Sequence, residues 1–263
     1  MVINGILFRQ RTRVPWRDLP ARFGKWKTVY ERHRRWSAGG MWDRIFKAVL
    51  ADSDATGCID WSMVSVDSTS CRAHQNAAGA RKKPPRVPGR RTPRQHRPDE
   101  GLGRSRGGLT CKIHLLGEGG LPASRPPHHA GSVGRRTAAR SRDGACPCRP
   151  PGRWAPRTRP DHLGGDKAYS SRRNRRYLRR RQIKHIIPEP KNQRANRQRR
   201  GSRGGRPTGF NTTIYKRRNE VERTINALKN SRAVATRYDK RAYIFHGTVT
   251  VAAIRLWLRS LSE

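Results

Sequence analysis

Apolar and aromatic residues in the first 60 positions recur with helical spacing. Five of them, three or four positions apart, share one face of a predicted helix: Trp26, Val29, Tyr30, His33 and Trp36. Three arginines lie beside or behind that face: Arg32, Arg34 and Arg35. A second short helix is predicted after Gly39 and Gly40. The pattern indicates a small helical region, residues 1–60, with a basic surface.

Two segments further along the chain alternate between apolar and polar residues, as strands do, and a third gives a weaker strand signal. Residues 62–69 predict a strand with Asp67 at its exit, and residues 161–169 give a weaker strand signal that ends in Asp166. Residues 109–116 predict a third strand, followed by a glycine-rich turn and a hairpin partner expected from Leu121. A short buried strand is also predicted at 184–190, where prolines stop it.

Helices are predicted between and after these strands. Ser170 or Ser171 can cap a basic helix that follows Asp166, and Thr212 or Thr213 can cap a helix that runs to about Asn230. Residues 242–261 are mostly apolar but carry His246, Arg255 and Arg259, which favours a packed terminal helix over a membrane span.

Three connecting segments lack any period. Residues 77–108 and 191–211 predict basic, glycine-rich loops. Residues 123–155 contain no Leu, Ile, Met, Phe or Tyr and are dense in Arg, Pro, Gly and Ser. We interpret this third segment as GC-rich coding sequence read in a shifted frame; a genuine Arg/Pro-rich insertion is the alternative. Irregular coil is expected there.

The charge of the chain narrows the classes of function. Sixty Lys and Arg against 18 Asp and Glu give a formal net charge of +42, which predicts a polyanionic partner and nucleic acid first. No leader peptide or membrane span is evident, so a cytoplasmic protein is expected. The five cysteines form no CxxC pair, which argues against a disulfide framework and a structural zinc site.

Acidic residues are scarce, so their positions are informative. On the helix predicted at 212–230, Tyr215, Arg218, Glu222 and Lys229 fall on one face. Asp67, Asp166 and Glu222 could converge and hold two divalent cations for phosphodiester chemistry. The alternatives are an ordinary amphipathic helix with a charge network, and aspartates that merely cap strand ends.

Several motifs resemble the DDE transposases of bacterial insertion sequences, in the insertion-sequence-five group of the insertion-sequence-four-like class. The resemblance is carried by VSVDST at 64–69, GDKAYSS at 165–171, IPEP at 187–190 and YKRRNEVERTINALK at 215–229. The last segment is the most specific, because the family's Tyr, Arg, Glu and Lys signature falls without a gap on Tyr215, Arg218, Glu222 and Lys229.

This resemblance implies an α/β fold, with a ribonuclease-H-like catalytic domain over residues 61–263 preceded by the helical DNA-binding region. It makes Asp67, Asp166 and Glu222 the catalytic residues and the ligands of two Mg²⁺ or Mn²⁺ ions. Tyr215, Arg218 and Lys229 would face double-stranded DNA near the cut, and the region with Arg32, Arg34 and Arg35 would help bind terminal inverted repeats. The reaction would be strand cleavage at the element ends and transfer into target DNA, carried out by a homo-oligomer on DNA within the bacterial nucleoid.

Two departures from the family lower the expected activity of this copy. Family members carry some tens of residues before the equivalent of Met1, and residues 123–155 lack the strand and helix expected before the second aspartate. An inactive copy is therefore expected. A non-enzymatic basic nucleic-acid-binding protein and a pseudogene product remain the alternative interpretations.

Overall fold

A computed structural model describes residues 1–78, 100–118 and 157–260. The expectations for 123–155 and for a strand from Leu121 lie outside these residues. The helices of the described part are α1 Val2–Thr12, α2 Trp26–Ala38, α3 Met41–Ala55, α4 Gln75–Ala78, α5 Arg172–Arg180, α6 Lys191–Arg199, α7 Thr212–Lys216, α8 Asn219–Lys229, α9 Arg232–Ala235 and α10 Ala242–Ser260. The strands are β1 Met63–Ala73, β2 Gly103–Ser105, β3 Gly108–Glu118, β4 His162–Gly165, β5 Lys184–Ile186 and β6 Thr236–Arg237.

The strands form one mixed sheet in the order β2-β3-β1-β4-β5, and β6 pairs with the end of β1. β2, β3 and β1 are antiparallel neighbours, whereas β1, β4 and β5 run parallel to one another. The predicted α/β class is confirmed. The central strand β1 thus has a long antiparallel partner on one side and a short parallel partner on the other.

Helices cover both faces of the sheet. On one face Val221 and Leu228 of α8, with Phe245 of α10, pack against Cys111 and Leu115. On the other face Val66 packs with Tyr169, Leu178, Ile183 and Ile187. Because side chains alternate along a strand, Asp67 belongs to the face that α8 covers. The described cysteines, Cys58, Cys71 and Cys111, are free thiols.

The N-terminal helices share a core with α10. Val29 of α2 and Phe46 of α3 pack with Ile6 of α1 and with Val251 and Ile254 of α10. Both predicted N-terminal helices are confirmed, and so is the predicted packed helix at the end of the chain.

One glycine lets α10 approach α2 closely. A Cβ atom on Gly247 would lie 2.8 Å from Cβ of Ser37, which is closer than carbon atoms can pack, so no larger residue fits without moving the helices apart. None of the helices in the described residues combines the length and apolar character needed to cross a membrane.

The structure corrects two predicted loops. Residues 191–199 of the predicted loop 191–211 form α6, whose Lys, Gln, Arg and Ala residues favour helix and whose Arg197 pairs with Glu189 at 2.9 Å. The predicted loop 77–108 contains β2, which forms an antiparallel ribbon with the start of β3.

The predicted helix 212–230 is divided. Arg217 and Arg218 lie in a turn between α7 and α8, and the cap is Asn211 rather than Thr212 or Thr213. The Asn211 side chain accepts a hydrogen bond from the Ile214 amide at 3.1 Å. Ser171 caps α5 as predicted, by accepting from the Asn174 amide at 3.1 Å.

Candidate active site

Asp67 lies in the middle of β1, not at the strand exit that the sequence predicted. β1 continues to Ala73 because β3 pairs with it as far as Thr110, opposite Arg72. The pairing with β4, however, ends at Val66 opposite Gly165. Asp67 therefore stands on a continuous strand at the point where its parallel neighbour stops. Its Oδ1 accepts a hydrogen bond from the Ser68 amide at 2.7 Å.

Asp166 follows β4 directly, as the sequence predicted. It is the residue after Gly165, which pairs with Val66, so Asp166 and Asp67 each follow the last paired position of two neighbouring parallel strands. The Asp166 side chain caps a short 3-10 helix, Lys167–Tyr169, by accepting from the Ala168 amide at 2.8 Å. One carboxylate oxygen is thus fixed by its own backbone.

Glu222, on α8, is linked to Asp67 by the side chain of Arg218. The Nη2 of Arg218 donates to Oδ2 of Asp67 at 3.1 Å and lies 2.8 Å from Oε1 of Glu222. Since both oxygens are about 3 Å from one nitrogen, they are no more than about 6 Å apart. The structure therefore brings Asp67 and Glu222 together around a single guanidinium group.

The apolar side of α8 places this helix on the sheet. Val221 is fully buried, and Ile225 and Leu228 continue the same face against β3. Glu222 follows Val221 and so lies at the edge of the packed face, with 46% of its side chain exposed, against 15% for Asp67. The site is open on the side of Glu222.

The surroundings of Arg218 favour its charged form. Burial opposes it, but the carboxylates of Asp67 and Glu222 and the nearby Tyr215 raise the pKa of Arg218 above its usual value. Its guanidinium lies 5.9 Å from the Tyr215 ring centroid, and that ring is 5.0 Å from the ring of Phe210. Arg218 thus contacts both carboxylates, and Tyr215 lies beside its guanidinium group.

The donor set at this site suits a hard divalent cation, because it consists of carboxylate oxygens at neighbouring strand ends and on the facing helix. In the described part of the chain, no three His, Cys, Asp or Glu side chains stand close enough together to hold a metal ion. The cationic group that Asp67 and Glu222 share here is Arg218. The three carboxylates therefore have the ligand chemistry that such a cation requires. In this structure the guanidinium group of Arg218 lies between two of them, Asp67 and Glu222.

A second group of charges lies nearby and was missed by sequence reasoning. Arg217 pairs with Asp60 at 2.5 Å and lies 3.8 Å from Glu220. Burial raises the pKa of Glu118 at the end of β3 to about 8, with a further contribution from Asp60. No sequence signal indicated that Glu118 is buried, because alternation places it on the side of β3 that carries Lys112 and His114, and glutamate is typical of surfaces.

The other predicted DNA-binding residues do not meet these carboxylates. Lys229 is the last residue of α8, where its charge acts on the buried Cys71 thiol. Arg32 and Arg35 are exposed on α2, whereas Arg34 is half-buried and donates twice to Glu31, at 2.9 and 2.7 Å.

Two protein families match the chain. The family described as the putative transposase of the IS4/5 family matches residues 1–46, which include α1 and α2. The family described as the transposase DDE domain matches residues 56–257, from before β1 to near the end of α10. The second match covers most of the chain and contains all three candidate carboxylates.

Two curated proteins are similar over shorter stretches. The uncharacterized 16.2 kDa protein of insertion element IS402 from Burkholderia cepacia is 45% identical over 73 residues, 27% of this chain and 50% of that protein. The uncharacterized protein y4sN of Sinorhizobium fredii is 37% identical over 94 residues, 36% of this chain and 67% of that protein. The chain thus spans half the length of the first relative and about two thirds of the second.

The family matches agree with the architecture. The mixed sheet, its flanking helices and the helical N-terminal region form the α/β arrangement of the ribonuclease-H-like fold family to which DDE transposase domains belong. The chain belongs to the transposase DDE domain family and carries at its N-terminus a segment of the IS4/5 transposase family.

Proposed function

We propose that this chain descends from an enzyme that cuts DNA at the ends of an insertion sequence and joins the freed 3′-hydroxyl to target DNA. The observation that carries the proposal is the meeting of Asp67 and Glu222 around Arg218, beside the strand end that bears Asp166. A DNA substrate follows from the family and from the net charge of +42.

We assign Asp67, Asp166 and Glu222 as the ligands of divalent metal, two Mg²⁺ or Mn²⁺ ions. When bound, such ions activate the attacking oxygen and stabilise the leaving oxygen of an in-line displacement at phosphorus. Asp67 supplies the most rigid position, because its strand is paired on both sides up to Val66. Arg218 and Tyr215 would contact the DNA beside the scissile phosphate, since an arginine pairs well with phosphate oxygens.

Exposed cations near Asp166 support a DNA path. α5 begins six residues after Asp166 and exposes five arginines: Arg172, Arg173, Arg176, Arg179 and Arg180. On α2, Arg32 and Arg35 are free of ion pairs among the described residues and are the better candidates for phosphate contact, because Arg34 is engaged by Glu31. We retain residues 1–60 as the DNA-binding region, residues 61–263 as the catalytic domain, and a homo-oligomer on DNA as proposals.

Magnesium dependence tests this function against its alternative, a non-enzymatic DNA-binding protein. A duplex that carries the element end is incubated with the purified chain, with Mg²⁺ or with a chelator. Nicked product only with Mg²⁺ is the expected result for an intact active site. Binding without nicking, in the presence of Mn²⁺ as well, would mean that this copy binds DNA and does not cut it.

Arg218 gives a prediction that does not depend on cleavage. Arg218→Gln is expected to bind Mn²⁺ about tenfold more tightly than the parent chain in the absence of DNA, a difference of about 1.4 kcal/mol. The physical reason is that the guanidinium neutralises the two carboxylates and occupies the space between them. Titration calorimetry of the DNA-free protein measures the difference.

Arg217→Gln is the matched control, because Arg217 pairs with Asp60 and Glu220 rather than with Asp67 and Glu222. Its Mn²⁺ affinity is expected to equal that of the parent chain. An unchanged affinity in Arg218→Gln would show that Arg218 does not compete with the metal at this site.

A further inference from the structure

A small cavity lies where α1, α2 and α10 meet, far along the chain from the candidate carboxylates. Its volume is about 10 Å³, and its polar lining comes from Arg9, Gln10, Trp16, His33 and Thr248. Four of these residues carry a buried side-chain atom that has no hydrogen-bond partner in the described structure: Arg9 Nε, Gln10 Oε1, Trp16 Nε1 and His33 Nδ1. Unpaired polar atoms are costly in a core, so four of them on residues that line one cavity need a common cause.

The hydrogen-bonding roles of these atoms can be assigned. Arg9 Nε and Trp16 Nε1 each carry a hydrogen and can only donate, whereas Gln10 Oε1 can only accept, because Nε2 of Gln10 donates to the Thr248 carbonyl at 3.1 Å. Only the role of His33 depends on its protonation.

The Nδ1 atom of His33 can be assigned as a hydrogen-bond acceptor. Burial lowers the pKa of His33 to about 4, so the ring is neutral at pH 7 and carries one hydrogen. Thr248 Oγ1 lies 3.0 Å from the Asp239 carboxylate, to which it donates, and 3.2 Å from His33 Nε2. The hydroxyl therefore accepts from Nε2–H. The remaining ring nitrogen, Nδ1, has a free lone pair.

We infer that this cavity binds one water molecule, which accepts from Arg9 and Trp16 and donates to Gln10 and His33. Two donors and two acceptors are the full complement of a single water, and the volume is that of about one water-sized probe. A cation does not match, because Arg9 Nε and Trp16 Nε1 would direct hydrogens at it.

The water would complete a buried polar network that joins the two ends of the fold. Arg9 on α1 pairs with Asp239 just before α10 at 3.3 Å, and Asp239 is linked through Thr248 to His33 on α2. The N-terminal helices would thus be held against α10 by hydrogen bonds of fixed geometry as well as by apolar contact. This arrangement does not depend on the proposed enzymatic activity.

A crystal structure of the full chain at about 1.8 Å tests the inference directly. We expect one water within hydrogen-bond distance of Arg9 Nε, Gln10 Oε1, Trp16 Nε1 and His33 Nδ1. A cavity without electron density for a water, or side chains that move together and hydrogen-bond directly to one another, would overturn the inference.

Val251→Ile provides a second test in solution, because Val251 also lines the cavity and the added methylene competes with the water for its volume. Oxygen-17 relaxation counts long-lived internal waters, and we expect one fewer in Val251→Ile than in the parent chain. Val249→Ile, on the same helix but in the core against the sheet, is the control and should keep the count. An equal count in Val251→Ile and the parent chain would contradict the inference.

Discussion

Glu222→Gln is expected to lower magnesium-dependent DNA cleavage by at least about 10³-fold in any form of the chain that cleaves, because charge stabilisation by metal contributes several kcal/mol to such a barrier. Glutamine keeps the size of Glu222 and can still accept from Arg218. The fold is therefore preserved while the negative charge is lost. A nicking assay on end-containing DNA measures the change, and Asp67→Asn should give the same loss.

Glu220→Gln is the matched control for Glu222→Gln. Glu220 lies on the same helix but pairs with Arg217, so its replacement should leave cleavage unchanged. DNA affinity should stay within about twofold in all three variants, because exposed arginines supply it through phosphate contact. Cleavage that survives in Glu222→Gln would remove Glu222 from the active site.

Asp239→Ala is expected to lower the free energy of unfolding by about 3–5 kcal/mol, since it leaves the charge of Arg9 buried without its partner. The side chains of both residues are only 5% exposed, and Thr248 loses a hydrogen-bond acceptor as well. Urea denaturation followed by tryptophan fluorescence measures the loss, because four tryptophans lie in this part of the core: Trp16, Trp26, Trp36 and Trp42.

Glu31→Ala removes a carboxylate from an ion pair of the same helical region whose side chains are about one third exposed. Pairs of that kind contribute roughly 0–1 kcal/mol, so this control should change stability little. A loss in Asp239→Ala as small as in the control would mean that the buried pair does not hold α1 to the rest of the fold.

The spacing of apolar residues predicted those helices and strands in which one face of a single segment is buried. Val29 and His33 of α2 are buried as the helical spacing requires, and β3 alternates around Cys111 and Ile113. The strand ending at Asp166 was also predicted from its neighbours in sequence. These features depend on one face of one element meeting a core, which a single segment can reveal.

Features that depend on distant partners were not predictable in this way. The sequence predicts that β1 ends at Asp67, but the strand continues because β3 supplies a partner for five further residues, as far as Arg72. The sequence predicts a continuous helix through Arg217 and Arg218, since both residues favour helix, but the structure has a turn there. The turn allows Arg217 to reach Asp60 while Arg218 reaches Asp67.

The buried polar network could not be predicted from the sequence, for a related reason. Arginine is usually exposed, and nothing near Arg9 in sequence indicates that its partner is Asp239, 230 positions later. The three candidate carboxylates, by contrast, were chosen from their positions in the predicted elements and from the motifs around them, in a chain with only 18 Asp and Glu. The arginine bridge between Asp67 and Glu222 was not predicted.

The position of α10 in the N-terminal core has a consequence for the order of events during translation. Ile6, Val29 and Phe46 form a complete core only together with Val251 and Ile254 of α10. The ribosome adds these two residues about 200 positions after the end of α3. At typical rates of elongation this is a delay of roughly 10–40 s. For that interval the tryptophan-rich surface of the nascent helices has no partner of its own, and a chaperone or bound nucleic acid that covers it would favour productive folding.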